Sequence, residues 1–105
     1  MRSDMEQIYV IGDIHTVSAF RLSGVNGVTA SRNDAAAKLE EIIRKGDAAV
    51  VAITNDLADD LSERIGAINL TLPFPVVIAI PGIDDARGFR QSVMSYVSEA
   101  MGISL

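Results

Sequence analysis

The chain has no cysteine and a single histidine among its 105 residues. Disulfides and thiolate metal sites are thereby excluded, and the absence suits a reducing compartment. No apolar run approaches the ~20 residues of a membrane span, and the opening MRSDMEQ is too polar for a signal peptide. Work at a membrane would therefore go through another protein. Basic charge is equally thin. Residues 1–46 carry six acids and six bases, whereas residues 47–105 carry eight acids against three bases and so account for the whole net charge of −5. A duplex-binding face needs a basic stripe, which excludes nucleic acid as the expected partner. The G-x-G-x-x-G and G-x-x-x-x-G-K-[ST] phosphate cradles are missing too, since Gly12 is followed at once by Asp13.

What is present describes one globular domain, residues 1–105, with 49% hydrophobic and 22% charged residues. A chain of this length buries roughly two-thirds of its unfolded surface, enough for a core without staples. Residues 1–4 read as a leader ahead of a natural start at Met5, residues 5–82 as a sheet core, and residues 83–105 as a loop and C-terminal helix. Residues 7–11 (QIYVI), 48–53 (AAVVAI) and 75–80 (PVVIAI) are short, Val- and Ile-rich and apolar without alternation, as strands covered on both faces are. Residues 27–30 (GVTA) make a weaker edge strand.

Helical patterns lie between them. In residues 33–45, Ala35, Ala36, Leu39, Ile42 and Ile43 fall on one face, with Ser31 or Asn33 expected to cap the start and Gly46 to end it. Glu40–Arg44 and Glu41–Lys45 are spaced as helical ion pairs. Residues 16–22 give a short helix stopped by Gly24. Residues 55–65 give a third, with Leu57, Leu61, Ile65 and Ile68 on one side. Residues 89–101 give the last, with Phe89, Val93, Val97 and Ala100 as its stripe. Residues 69–74 (NLTLPF) read as a loop, because Pro73 and Pro75 disfavour helix. Alternating strands and helices with right-handed crossovers predict an α/β fold: a small doubly wound, four-stranded parallel sheet of order 2-1-3-4, with helices on both faces and a C-terminal helix.

In such sheets ligands bind beyond the carboxyl ends of the strands, where Gly12, Asp13, Thr54, Asn55 and Asp56 are expected to meet. A phospho-acceptor receiver domain shares this architecture, but it needs clustered acids for Mg²⁺, an acceptor Asp after the third strand and a later lysine. The chain offers one acid after the first strand, Thr54-Asn55 after the third and Pro81-Gly82 after the fourth. His15 would need Asp13 to orient it as a base; the plainer account has Asp13 or Thr16 capping the short helix while His15 faces solvent. Asp56, Asp59, Asp60 and Glu63 share one helix face, which reads as a solvated surface and lacks the glycine-turned loop of a calcium site. Asp84 and Asp85 extend an acidic rim. Neither cofactor nor metal is expected. Met94 and Met101, one heptad apart, add a second apolar edge to the last helix, suited to a surface that repacks against a partner.

Together these segments resemble the F subunit of the V-type and archaeal-type rotary ATPases. In GDIHTVSAFRLSGV, the residues Gly12, Asp13, Thr16, Phe20, Leu22, Gly24 and Val25 stand where that family has its N-terminal signature. Ala19 and Ser23 depart from it, small for small, and Phe20 and Leu22 are packing candidates within it. Residues 53–58 (ITNDLA), 75–82 (PVVIAIPG) and the ending MGISL resemble later family segments. The loop 83–88 is shorter than in eukaryotic relatives. The resemblance implies a non-catalytic central-stalk (rotor) component, cytoplasmic and peripheral to the membrane. It would bind the coiled coil of the D subunit, with other stalk and catalytic-ring subunits as neighbours, and help couple ATP synthesis or hydrolysis to proton or sodium transport. Phe89, Val93, Met94, Val97 and Met101 are the expected contacts, and Gly82 and Gly88 bracket the loop before them. The rival readings are a degenerate receiver-like module and a small enzyme using Asp13, His15 and Thr54.

Overall fold

The computed structural model describes residues 7–83. The proposed leader, Asp84, Asp85, Gly88 and the final helix with Phe89, Val93, Met94, Val97 and Met101 lie outside the described residues. The elements run β1 (Gln7–Gly12), α1 (Ile14–Arg21), β2 (Asn26–Thr29), α2 (Ala35–Lys45), β3 (Ala48–Thr54), α3 (Asn55–Asp60), α4 (Ser62–Thr71) and β4 (Val76–Ile80). All three strand pairings are parallel, and the sheet order β2-β1-β3-β4 is the one the sequence predicts.

Side chains alternate across each strand, and this divides the core in two. On one face Tyr9, Ile11, Val51, Ile53 and Val77 pack with Leu39 and Ile42 of α2, Leu57 and Ala58 of α3, and Ile68 of α4. On the other face Val10, Ala52 and Ile80 pack with Val17 of α1, supported by the half-buried Phe20, Val25 and Ile78. Fully burying one such aliphatic side chain stabilises the fold by about 1.5–3 kcal/mol. Strands of this kind are apolar along their whole length because both faces are covered.

Five local expectations are corrected. The first helix begins at Ile14 rather than Thr16, because Asp13 is its N-cap. For α2, neither Ser31 nor Asn33 caps through its side chain. Instead the Asp34 carboxylate accepts from the Ser31 N–H at 2.7 Å and its hydroxyl at 3.3 Å, while the Ser31 carbonyl accepts the Ala35 N–H. Gly46 ends that helix as expected, in the left-handed region at φ 74°. The third helix is two helices, broken at Leu61 (φ −111°, ψ 15°).

The second of these runs on to Thr71, through the start of the expected loop. Pro73 constrains only the residue before it, and Leu72 takes the extended conformation that such a residue favours (ψ 136°). The turn upstream stays helical: the Leu72 N–H donates to the Ile68 carbonyl and the Thr71 hydroxyl to the Ala67 carbonyl. Asn69 leaves the helix surface to clip β4, donating to the Val77 carbonyl and accepting the Val77 N–H, both at 2.9 Å. Glu40 makes its ion pair across helices rather than along α2, through a two-pronged contact to Arg64 of α4 at 2.6 and 2.8 Å. Half-exposed pairs of this sort contribute at most ~1 kcal/mol.

Candidate functional site

The carboxyl edge of β1 and β3 brings Gly12, Asp13 and Thr54 together, as the strand ends predict, and adds Thr16 from α1 and Gly82 and Ile83 from beyond β4. Asp13 is the centre of this cluster. One carboxylate oxygen accepts the backbone N–H groups of His15 and Thr16 at 3.0 and 3.1 Å; the other accepts the Thr16 hydroxyl proton at 2.6 Å. The Thr16 oxygen in turn accepts the Ile83 N–H at 3.0 Å, so one hydroxyl ties the start of α1 to the chain leaving β4. Partial burial pushes the Asp13 pKa up, but the hydrogen bonds from Thr16 and His15 outweigh it and hold the carboxyl below its usual range.

This geometry makes Asp13 a cap rather than a base-orienting group. Its partner at residue 15 is the backbone N–H; the His15 residue itself is exposed. Thr54 is 1% exposed and its hydroxyl oxygen has no hydrogen-bond partner, while Asn55 and Asp56 are exposed at the start of α3. A Cβ on Gly12 would sit 2.6 Å from the Thr54 methyl carbon, so the signature glycine serves close packing between β1 and β3. Asp56, Asp59, Asp60 and Glu63 do not share a helix: the break at Leu61 separates Glu63 from the other three, and Asp60 pairs with Arg32 at 3.6 Å.

Among the other signature residues, Phe20 packs as expected and Gly24 takes a positive φ of 84° in the turn after α1. Leu22 does not pack: it is 91% exposed, correcting its place as a core candidate. It belongs to a set the sequence pattern did not separate from the core. Ile8, Leu22, Leu70, Leu72, Phe74 and Val76 are all exposed. They stand at the starts of β1 and β4, at the ends of α1 and α4, and in the loop entering β4, which is the amino edge of the sheet. Ile8 and Val76 flank Val50 in register, so the three form one apolar row across β1, β3 and β4. The signal was available: no ionisable residue stands between Arg64 and Asp84, yet several large apolar residues there lie outside any strand. Among the described residues no helix is long and apolar enough to cross a membrane.

Comparison with known proteins matches residues 8–97 to a family described as ATP synthase (F/14-kDa) subunit. The F subunit of a V-type ATP synthase in Clostridium botulinum (strain Eklund 17B / Type B) is 30% identical over 101 residues, covering 95% of this chain and 97% of that protein. Its counterpart in the A-type ATP synthase of Pyrococcus furiosus is 30% identical over 109 residues, covering 94% and 97%. The V-type ATP synthase of Thermus thermophilus has an F subunit that is 32% identical over 78 residues, covering 73% and 75%.

Proposed function

Because the chain belongs to the ATP synthase F-subunit family, we propose that it is a non-catalytic central-stalk component of a V/A-type ATPase that binds the coiled coil of the D subunit. The observation that carries this reading is the family match across residues 8–97, which takes in the parallel sheet and reaches into the expected final helix. In this role the chain is a cytoplasmic protein held at the membrane by its complex. It transmits torque between a catalytic ring, where other subunits handle ATP, and an ion-moving membrane sector.

The chemistry of the described residues supports binding rather than turnover. Asp13 is occupied by three hydrogen bonds that hold backbone and hydroxyl in place. Apolar side chains meanwhile collect at the amino edge, where surface of that kind favours association with another protein. The contact with the coiled coil is assigned to the final helix through Phe89, Val93, Met94, Val97 and Met101, apolar anchors of the sort that dominate a docked helix. Replacing Met94 and Met101 together with Asp tests this. The double variant should fold as the parent does and bind the purified D-subunit coil at least about tenfold more weakly, a loss of ~1.4 kcal/mol. A folded variant with unchanged affinity would overturn the assignment.

A further inference from the structure

The sheet has two open edges, β2 and β4, and a helix side chain reaches each of them. On β4 the Asn69 amide of α4 accepts the Val77 N–H and donates to the Val77 carbonyl, both at 2.9 Å. On β2 the Arg21 guanidinium of α1 donates to the Gly27 carbonyl at 2.8 Å. We propose that these two side chains close the sheet to strand addition, and that Asn69 keeps a second copy of this chain from pairing β4 with β4.

The direction of the backbone groups supports this. Along an edge strand of a parallel sheet, alternate residues turn N–H and C=O toward the neighbouring strand, and those between turn both outward. Val77 stands beside Val51 of β3, yet both its backbone groups go to Asn69, so it is an outward residue. On β2 the Ala30 N–H bonds the Gly12 carbonyl, which turns Val28 toward β1 and Gly27 outward. Both contacts therefore occupy groups that an added strand would use. Glycine at position 27 makes the second contact possible, since a Cβ there would lie 3.1 Å from the Arg21 Cγ that crosses it.

The two edges differ in how much they need closing. β2 has four residues, and Arg21 leaves a charge on it. β4 reads VVIAI, and no ionisable residue stands between Arg64 and Asp84. Phe74 and Val76 beside it are exposed. An uncharged, Val- and Ile-rich edge of this kind is a template for pairing with another chain. Pro75, just before the strand, brings no N–H, and Ala79, two residues past Val77, has a partner of its own. Asn69 thus closes the position between them. Its side chain suits the task because an amide carries an acceptor and a donor at one end. Without it, the Val77 residues of two copies related by a two-fold axis would exchange both bonds, the pairing unit of an antiparallel ladder.

The test is the mass of the isolated full chain, read by light scattering during size-exclusion chromatography at concentrations up to the order of 100 μM. The parent should stay monomeric. Asn69→Ala should move toward twice that mass as concentration rises, while circular dichroism shows a folded chain. If Asn69→Ala does not fold, Asn69→Leu, which keeps the bulk and favours helix, should give the same shift. Asn69→Asp still accepts the Val77 N–H but places a charge on the edge, so it should remain monomeric. Adding Arg21→Ala to Asn69→Ala opens both edges and should carry the mass beyond a dimer. A parent that already associates, a folded Asn69→Ala or Asn69→Leu that stays monomeric, or equal association of Asn69→Asp would each overturn the proposal for Asn69. A double variant that stops at the dimer would overturn the part given to Arg21. The measurement uses this chain alone, so it can fail while the coiled-coil contact proposed above stands.

Discussion

Asp13 shows how a residue that looks catalytic in sequence becomes structural in the fold. Its carboxylate ends the first strand, caps α1 and fixes Thr16, which holds Ile83. Asp13→Ala should therefore lower stability by about 0.5–2 kcal/mol, the usual cost of losing an N-cap, as measured by urea unfolding at pH 7. The folded-state pKa is depressed, so this stabilisation is fully present above the unfolded value of 3.8 and is lost as pH falls through the lower folded value. The stability gap between the parent and Asp13→Asn should accordingly shrink below about pH 4. Thr54 predicts the opposite outcome for a similar-looking group. Its buried hydroxyl has no partner among the described residues, so Thr54→Val should be neutral or stabilising by up to ~1–2 kcal/mol in the same assay. A clear loss on Thr54→Val would mean that the hydroxyl is engaged.

At the scale of elements, two glycines separate packing from propensity. A Cβ on Gly27 of β2 would overlap the Val17 methyl carbon Cγ1 and lie 2.9 Å from Arg21 Nε, so α1 approaches the edge strand through that gap. Gly27→Ala should cost about 1–3 kcal/mol through overpacking. Gly66 of α4 has nothing within 4 Å of its added Cβ, and Gly66→Ala should stabilise by ~0.5–1 kcal/mol through helix propensity. Thermal melts of the two variants should shift in opposite directions. The same contrast explains what the sequence made legible. The β strands and α2 were readable because apolar runs and a clear 3.6-residue stripe both reflect burial against a sheet. The α3–α4 break was not, since Leu61 is neither Gly nor Pro and the apolar period continues past it. The persistence of helix to Thr71 was misread because the influence of Pro73 was extended beyond the one residue it restrains. At the carboxyl edge the meeting of Gly12, Asp13 and Thr54 followed from strand ends, whereas the Thr16–Ile83 link needed the long-range geometry of the closed sheet.

For the whole molecule, the two ends of the sheet differ in kind. The carboxyl edge, where such folds hold ligands, is closed by capping hydrogen bonds and a packed glycine. The amino edge presents Ile8, Leu70, Leu72, Phe74 and Val76 to solvent. Membership in the ATP synthase F-subunit family supplies the setting for both ends. Leu22 and Leu70 stand five and two residues from the buried Val17 and Ile68, off the helical period, and that spacing, with the charge-free run 65–83, is the sequence signal that sets them apart from the core. The most direct test of the stalk reading is to mix the purified full chain with the purified D subunit of the same complex and measure mass by light scattering during size-exclusion chromatography. The account predicts a stable one-to-one complex at concentrations on the order of 10 μM, as a dissociation constant below about 1 μM would give. Two separate peaks at that concentration, with both proteins folded, would contradict it.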